Sequence, residues 1–272
     1  MAIGVIGRQA VRKLFVPKPK SHKGENGLLT VVGGSVKYHG APLFAMKTAS
    51  HFVDLVFFYS PARLNYGVLA RMKGGSGCFT TLQSEKELFD SVEKSDCVLV
   101  GNGLEVNLRN KRLVNGLLKK FKNKKFVLDA GALHLVDKRL LGKNVLVTPH
   151  ELEFKALFGR RASVEEAVKQ AGKWNCVVLL KKTRCFITDG KTMVQNKNGN
   201  QGMTKGGTGD VLAGLAAAFA CKNPLFVSAQ AASFVNGFAA DLLVKRKGFY
   251  FNADDLAGEI PFAMKKLVGK NG

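Results

Sequence analysis

Short, almost entirely apolar segments alternate with longer segments of helical character along this chain, and this alternation limits the possible fold more than any other feature. Residues 28–32 and 97–100 are examples, and glycine follows each of them directly. Strands that are apolar on both faces are typical of parallel sheets covered by helices on each side. The sequence therefore predicts an α/β fold, a three-layer sandwich around a central, mostly parallel sheet.

The individual elements follow from apolar periodicity and from turn residues. We predict strands at residues 28–32, 54–59, 78–82, 97–100, 125–128, 144–147, 176–181, 185–188 and 192–195, the last two as a hairpin across Asp189 and Gly190. We predict helices at residues 41–52, 85–93, 107–121, 163–174, 210–221, 225–245 and 254–267. No linker or repeat interrupts the pattern, so we expect one domain over residues 1–272, with residues 1–18 as an N-terminal extension or helix.

The chain is strongly basic. It carries 42 lysines and arginines and 20 acidic residues, a formal net charge of +22. Such a charge fits either an acidic partner, such as nucleic acid, or a solvated surface. We favour the solvated surface, because the basic residues are spread along the chain and no basic motif interleaved with aromatic residues is present.

The cysteines and the apolar segments indicate the cellular compartment in which the protein is expected. The five cysteines are scattered, and no two have the Cys-x-x-Cys spacing of a zinc or redox site. The longest apolar run, residues 211–221, is shorter than the about 20 residues that a membrane span needs. The N-terminus also lacks the order of a signal peptide. We expect a cytoplasmic protein with no membrane contact.

The strongest chemical signal is the glycine-dense segment at residues 198–210, which runs directly into a helix of small residues. Glycines let backbone N–H groups converge on an anion, and a helix N-terminus adds donors and a partial positive charge. Asp210 lies in the first turn, where its carboxylate can accept a proton from a hydroxyl that attacks phosphate. A capping role is the alternative, but a cap does not need so many glycines.

Four side chains near strand ends are further candidates, because ligands of such sheets bind beyond the carboxyl ends of the strands. Asp129 is either a helix cap or a substrate contact, and Lys181 is either a solvated strand end or a nucleotide contact. Taken alone, His150 is better explained as a helix cap or surface residue. Glu153 is an acid of the kind favoured in the first turn of a helix.

Several segments contain motifs in an order and spacing known from one enzyme family. Residues 199–210 read Gly-Asn-Gln-Gly-Met-Thr-Lys-Gly-Gly-Thr-Gly-Asp, residues 32–35 read Val-Gly-Gly-Ser, and residues 38–41 read Tyr-His-Gly-Ala. Residues 101–104 read Gly-Asn-Gly-Leu, residues 128–133 read Leu-Asp-Ala-Gly-Ala-Leu, and residues 148–154 read Thr-Pro-His-Glu-Leu-Glu-Phe. This set resembles the ADP/ATP-dependent NAD(P)H-hydrate dehydratases of the ribokinase-like superfamily. In that family, the motif at 101–104 reads Gly-Pro-Gly-Leu.

The resemblance implies a ribokinase-like fold and a lyase of nicotinamide-nucleotide repair. The substrate would be NADH or NADPH hydrated at C6 of the nicotinamide ring, with ADP or ATP as phosphoryl donor and Mg²⁺ as cofactor. Phosphorylation of the C6 hydroxyl would create a better leaving group than hydroxide, and loss of phosphate would restore the double bond. We expect the epimerase domain that some relatives carry to be absent here, and a separate NAD(P)H-hydrate epimerase to be a potential partner.

The resemblance also implies roles for single residues, with Asp210 as the catalytic aspartate. The expected nucleotide- and phosphate-binding residues are Lys181, Lys182, Thr183, Arg184, Asn200, Gly202, Met203, Thr204, Gly206, Gly207, Thr208 and Gly209. The expected contacts to the hydrated cofactor are Ala41, Gly103, Asp129, His150 and Asp210. Glu153 falls where the superfamily keeps a glutamate that organises Mg²⁺ through phosphate or water.

The chain departs from the family pattern at several positions. Lys182 stands where the family has a glycine, Glu151 and Leu152 replace Pro-Gly, and Asn236 replaces a histidine. Lys205 replaces a small residue inside the phosphate loop and adds positive charge there. We expect these changes to affect substrate contacts more than the fold.

Two other functions stay open on the sequence alone. An alcohol kinase of the same superfamily, acting on a thiazole or hydroxymethylpyrimidine alcohol, would share the phosphate loop and the base, although residues 33–35, 40–41 and 199–203 favour the dehydratase. A basic nucleic-acid-binding protein on the same fold is motivated by the charge of +22. A homo-oligomer is open as well, because the apolar segment 225–244 is either an interface helix or, as we favour, buried core.

Overall fold

A ten-stranded sheet forms the centre of the computed structural model, which describes residues 3–63, 65–67 and 79–269. Its strands are β1 (Gly4–Val5), β2 (Leu28–Val32), β3 (Leu55–Tyr59), β4 (Phe79–Leu82), β5 (Cys97–Val100), β6 (Lys125–Leu128), β7 (Val145–Val147), β8 (Val177–Lys181), β9 (Cys185–Thr188) and β10 (Met193–Gln195). They lie in the order β1-β10-β9-β8-β7-β6-β5-β2-β3-β4. Neighbours from β4 to β8 pair in parallel, and β9 runs antiparallel to β8 and β10. The mostly parallel sheet is confirmed.

Helices cover both faces of this sheet. They are α1 (Gln9–Arg12), α2 (Gly40–Ala49), α3 (Glu85–Lys94), α4 (Leu108–Lys120), α5 (Gly131–Leu135), α6 (Glu151–Phe158), α7 (Val164–Trp174), α8 (Thr208–Lys222), α9 (Leu225–Lys247) and α10 (Ala253–Val268). One apolar core joins the sheet to α1, α2, α8, α9 and α10, and the other joins it to α3 through α7. The result is the three-layer sandwich that the sequence predicts.

Local sequence explains where many of these helices begin. Ser84, Asn107 and Ser163 are the N-caps of α3, α4 and α7, and each side-chain oxygen accepts a backbone N–H from the first turn. α8 differs, because its N-cap is a glycine and no side chain among the described residues caps it. The donors at the start of α8 are thus left for another partner.

The strand order reverses between β2 and β5. β3 and β4 extend the sheet on one side of β2, and the chain then returns to place β5 on the other side. In open α/β sheets, ligands bind beyond the carboxyl ends of the strands at such a switch point. The loops after β2, β5, β6, β7 and β8 all lie along this edge, where the candidate site residues are found.

The N-terminal segment packs into the fold. β1 pairs in parallel with the edge strand β10. Ile6, Ala10, Val11 and Leu14 are buried in the core that contains α9 and α10. Residues 4–14 therefore extend one edge of the sheet and cover part of one face.

Helix α9 is long and apolar enough to cross a membrane by length and composition alone, with a mean hydropathy of 1.2. Of its most apolar 18-residue stretch, however, 67% is buried inside the fold, against α8 and α10 among other elements. This burial is typical of the core helix of an α/β domain. Of the two interpretations of the segment 225–244, the structure supports buried core.

Element boundaries differ from prediction by a few residues. The helix predicted at 41–52 spans Gly40–Ala49, and α9 extends to Lys247. The strand predicted at 78–82 is observed as Phe79–Leu82, and Cys78 lies outside the described residues. The predicted helix ranges include neither α6 nor α5, a five-residue helix that begins after Ala130, whose φ of 46° is unusual for a residue with a side chain. So short a helix has almost no periodicity to detect.

Candidate active site

The glycine-dense segment ends at an open helix N-terminus. Gly207, the N-cap of α8, has a φ of 92°, and a Cβ there would lie 2.8 Å from the Phe44 ring. Thr208 Oγ1 donates to the carbonyl of Met203 at 2.7 Å, which holds the loop against the start of the helix. The start of α8 is thus held in a fixed arrangement and has no side-chain cap among the described residues, which suits a phosphate group.

A cavity of about 640 Å³ lies beside this helix end. Among the predicted nucleotide-binding residues, those that line it are Lys181, Lys182, Thr183, Arg184, Asn200, Met203, Thr204, Thr208 and Gly209. Gly206 and Gly207 belong to the adjoining loop, and Gly202 is buried against Phe251. Ser233 and Asn236 of α9 form part of the cavity wall. Its size and basic lining suit a nucleoside di- or triphosphate.

Charged side chains converge next to the cavity. Lys181 Nζ lies 2.8 Å from Asp129 Oδ1 and 3.6 Å from Glu153 Oε2. The same ammonium lies 3.7 Å from the point where Gly209 would carry a Cβ, close beneath the start of α8. Asp210 is in the first turn of that helix. Lys181 therefore pairs with two of these three carboxylates and lies near the third, and the cluster carries excess negative charge when all three are ionised.

These contacts exclude one of the two alternatives for each of two residues. The side chain of Lys181 is only 18% exposed and pairs with carboxylates, so it is not a solvated strand end. Asp129 is not the cap of α5, since Ala130 is the N-cap and no side-chain hydrogen bond caps that helix. Both side chains belong to the charged cluster.

Asn102, which the sequence analysis did not single out, joins the cluster. Its Nδ2 donates to Asp129 Oδ2 at 3.1 Å and to Asp210 Oδ1 at 2.6 Å. The residue follows β5 and is fully buried. A buried asparagine between two glycines at the carboxyl end of a strand was the available signal, but its partners lie 27 and 108 residues away in the sequence.

The surroundings change the acidity of Asp210. Burial raises the pKa of Asp210 to about 7, and the negative charge of Asp129 acts in the same direction. The hydrogen bond from Asn102 and the positive charge of Lys181 oppose this rise in pKa. A carboxyl group with a pKa near neutrality can both accept and release a proton at physiological pH, which is what a general base requires.

His150 is the N-cap of α6. Its Nδ1 accepts from the backbone N–H groups of Leu152 at 3.1 Å and Glu153 at 3.3 Å. Glu153 Oε2 accepts in return from the backbone N–H of His150 at 2.8 Å, which completes a capping box. The capping interpretation of His150 is correct. Its imidazole is half exposed, so its role as a contact to the hydrated cofactor stays a prediction.

The residues near the helix end fit Mg²⁺ only as an ion that arrives with phosphate. The oxygens of Glu153 are already engaged by His150 and Lys181. Within the described ranges, no three His, Cys, Asp or Glu side chains converge as a metal site. Mg²⁺ would therefore take its ligands from phosphate oxygens and water, with Glu153 acting through them rather than as a direct ligand.

Ala41 and Gly103, two predicted contacts to the hydrated cofactor, lie together at the switch point. Gly103 has a φ of 70°, and a Cβ there would lie 2.2 Å from the carbonyl oxygen of Tyr38 and 3.3 Å from Ala41 Cβ. Neither residue lines the nucleotide-sized cavity. The structure thus separates them from the residues predicted to bind the nucleotide.

Two of the departures from the family pattern pair with each other. Lys182 Nζ lies 2.6 Å from Glu151 Oε1, which links β8 to the start of α6. Lys205 donates to the carbonyl of Phe249, so its ammonium is held at the connection between α9 and α10. Asn236 is buried on the cavity wall, and its Oδ1 has no hydrogen-bond partner among the described residues.

The site can now be compared with known proteins. A family model described as NAD(P)H-hydrate dehydratase matches residues 29–262. The ADP-dependent (S)-NAD(P)H-hydrate dehydratase of Cenarchaeum symbiosum is 38% identical over 289 residues, covering 97% of this chain and 98% of its own length. Other curated relatives, named bifunctional NAD(P)H-hydrate repair enzymes, are longer, and the chain spans only 52% of the first two of them.

Two solved structures share the fold. A ribokinase-like superfamily protein from Enterococcus faecalis has a TM-score of 0.87 at 22% identity, with 97% of this chain and 96% of the other covered. The ADP/ATP-dependent NAD(P)H-hydrate dehydratase of Bacillus subtilis, co-crystallised with ATP and Mg²⁺, has a TM-score of 0.83 at 21% identity, with 98% and 99% covered. These likenesses confirm the ribokinase-like fold. Together with the family model and the relative matched end to end, they show that the chain belongs to the NAD(P)H-hydrate dehydratase family.

Proposed function

We propose that this protein dehydrates C6-hydrated NADH or NADPH in a reaction that consumes ADP or ATP. The observation that carries the proposal is Asp210, a partly buried carboxyl group with a pKa of about 7 in the first turn of α8, whose N-cap is a glycine. Lys181 and a cavity of about 640 Å³ lie next to it. A base beside an anion-binding helix end is the arrangement needed to phosphorylate a hydroxyl group.

In the proposed first step, Asp210 accepts the proton of the C6 hydroxyl while that oxygen attacks the terminal phosphorus of the nucleotide. A new P–O bond forms, and the bond from that phosphorus to the nucleotide's bridging oxygen breaks, which releases AMP from ADP or ADP from ATP. Lys181 and the N–H groups of α8 stabilise the negative charge on the phosphoryl oxygens. Mg²⁺, when bound with the nucleotide and organised by Glu153 through phosphate or water, would supply further charge neutralisation.

In the second step, the lone pair of the ring nitrogen expels phosphate from C6. Loss of the C5 proton then restores the C5–C6 double bond and the reduced nicotinamide. Positioning and charge stabilisation provide most of the catalysis, so the chain needs only one ionisable base for the phosphoryl transfer.

The two ligands occupy different parts of the site in this proposal. The nucleotide takes the cavity lined by residues of β8, the loop 196–204 and α8. The hydrated cofactor approaches Asp210 from the first turn of α2, which carries Ala41, and from the turn that carries Gly103, with His150 as a further contact. The separation of these two groups of residues supports transfer between two ligands that meet at Asp210.

The wider setting is proposed on the relatives' names and on the sequence. We propose that the chain acts as one domain in the cytoplasm, with ADP tried first as donor because the relative of matching length is named ADP-dependent. A separate NAD(P)H-hydrate epimerase would supply the reactive epimer, since the longer relatives are named bifunctional repair enzymes.

The test follows the absorbance of restored dihydronicotinamide. Purified protein is mixed with hydrated NADH or hydrated NADPH, Mg²⁺, and either ADP or ATP. Recovery of the absorbance with one nucleotide supports the proposal and identifies the donor. The Asp210→Asn variant should still bind the nucleotide but lose turnover, because only the base is removed. No recovery from protein that binds nucleotide would contradict the proposal and favour the alcohol kinase.

A further inference from the structure

We propose that Asn102 is a positioning residue for the base: its Nδ2 holds Oδ1 of Asp210, so that the second carboxylate oxygen is presented to the substrate hydroxyl. The inference rests on the proposed function, because it takes Asp210 as the base. It is carried by the hydrogen bonds of one fully buried side chain.

The backbone of Asn102 is fixed on both sides. Gly101, before it, has a φ of 122°, and a Cβ there would lie 1.9 Å from the carbonyl oxygen of Asp129. The carbonyl of Asn102 accepts from the backbone N–H of Gly34 at 2.8 Å, which ties the turn to the loop after β2. The backbone that carries the Asn102 side chain is therefore held in place at the switch point of the sheet.

One amide nitrogen joins two carboxylates. Asn102 Nδ2 lies 3.1 Å from Asp129 Oδ2 and 2.6 Å from Asp210 Oδ1. Asp129 is itself held through its other oxygen, by Thr148 Oγ1 at 2.7 Å and Lys181 Nζ at 2.8 Å. Asn102 thus connects Asp210 to a carboxylate that β6, β7 and β8 already hold in place.

The orientation of the carboxamide follows from chemistry. A flipped side chain would place its oxygen where Nδ2 now lies, against the oxygens of Asp129 and Asp210, and two acceptors would then repel each other. The actual Oδ1 of Asn102 is buried without a partner among the described residues. The site therefore leaves the acceptor Oδ1 unsatisfied and keeps the donor Nδ2 on the two carboxylates. A buried acceptor without a partner destabilises a fold, so its presence here indicates that the contacts of Nδ2 matter more.

This contact leaves one oxygen of the base available. In the described part of the chain, Asn102 is the side chain that donates to Asp210, and it engages Oδ1. The charged groups that face Asp210 are Asp129, Glu153 and Lys181, and the lysine bonds to the other two rather than to Asp210. Oδ2 of Asp210 is thus the atom that accepts the substrate proton, and Asn102 sets its direction.

The experiment compares Asn102→Asp with Asn102→Ala. The aspartate variant keeps the shape of the side chain but replaces the amide donor by a carboxyl group, which repels Asp129 and Asp210 when it is ionised, whereas the alanine variant removes both the shape and the donor. The matched control is Asn110→Asp, at a buried asparagine whose Nδ2 donates to the carbonyl of Glu105 and whose Oδ1 also has no partner among the described residues. If Asn102→Ala does not fold, Asn102→Ser replaces it, because serine keeps a small side chain in the same turn.

We expect kcat to fall by about tenfold or more in both Asn102 variants, with the aspartate variant no better than the alanine variant. The KM for ADP should stay within about twofold, because Asn102 does not line the nucleotide-sized cavity. The acidic limb of the kcat profile should move to higher pH, because the lost hydrogen bond favours the ionised base. Asn110→Asp should leave kcat and this limb unchanged.

A structural role alone predicts a different result, in which the aspartate variant keeps wild-type kcat and only the alanine variant loses activity. That outcome would overturn the proposal. So would wild-type kcat in both Asn102 variants, or a rise in the KM for ADP with unchanged kcat.

A second measurement needs no substrate and separates this inference from the proposed function. Thermal unfolding at pH 8 is compared for wild type, Asn102→Ala, Asp210→Asn and the double variant. Asn102→Ala should lower Tm more in the wild-type background than in the Asp210→Asn background. In the wild type the substitution removes a hydrogen bond to an ionised carboxylate, whereas in the Asp210→Asn background it removes one to a neutral amide. Equal losses would overturn the contact. Unequal losses in a protein without dehydratase activity would refute only the proposed function.

Discussion

Replacing Asp210 with asparagine should make the folded protein more stable while abolishing turnover. Burial and the negative charge of Asp129 raise the pKa of Asp210 from 3.8 to about 7. The folded state therefore holds a proton on this group more tightly than the unfolded chain does. Between pH 4 and 7 the unfolded chain ionises this carboxyl freely, so the stability of the wild-type protein falls as pH rises through this window.

The size of the effect follows from the same pKa values. Each pKa unit corresponds to about 1.4 kcal/mol, so ionised Asp210 destabilises the fold by about 4 kcal/mol at pH 8. At pH 5, which is only about one unit above the pKa of this carboxyl in the unfolded chain, the penalty is about 2 kcal/mol. Asparagine avoids the penalty and still offers Asn102 an acceptor oxygen. We expect a gain in Tm of about 8 °C at pH 8 and about 3 °C at pH 5.

The assay is thermal unfolding followed by circular dichroism at pH 5 and pH 8, without nucleotide. The matched control is Asp137→Asn, at an exposed carboxyl whose pKa is lowered to about 2 by its hydrogen bonds to Arg139. A lowered pKa stabilises the fold above the unfolded pKa, so this control should lose rather than gain stability at pH 8. The same gain for Asp210→Asn at both pH values, or no gain at pH 8, would refute the reasoning.

Three further predictions concern the same site. The kcat of the wild-type enzyme should fall as the pH is lowered through about 7, because protonated Asp210 cannot act as a base; a kcat–pH profile that stays flat down to pH 5 would contradict this. Lys181→Met should cost about 3–5 kcal/mol in urea unfolding because it leaves two buried carboxylates unpaired, whereas Lys182→Met, at a half-exposed ion pair, should cost less than about 1 kcal/mol. Gly207→Ala should weaken ADP binding measured by calorimetry by about tenfold or more, since a Cβ would meet Phe44 at 2.8 Å and the φ of 92° disfavours alanine.

Much of the fold follows from local patterns in the sequence. β2, β5 and β6 have the predicted bounds, because their apolar character and the residues that end them are properties of neighbouring positions. β1 was not predicted, since a two-residue strand is defined by its pairing with β10, about 190 residues later. α5 was missed for a related reason, as its five residues are too few to show a period.

The candidate site also combines features that could be found in the sequence with others that only the structure shows. The glycine loop and Asp210 could be found in the sequence, because a phosphate-binding turn and the helix that follows it are continuous in the chain. The resemblance supplied the positions of Asp129, His150 and Glu153 but not their partners. That Glu153 completes the cap at His150, and that Lys182 pairs with Glu151, became known only from the structure.

From the sequence, then, most of the strands and the long helices could be predicted, together with a candidate anion-binding turn and Asp210 as the candidate base. Two hydrogen bonds could be seen only in the tertiary structure. Lys181 donates to Asp129, 52 residues away in the sequence, and Asn102 donates to Asp210, 108 residues away. The physical reason is the parallel sheet, which aligns the carboxyl ends of strands that are distant in the chain. Burial at that shared edge then raises the pKa of Asp210, one of the carboxyl groups brought together there, to about 7.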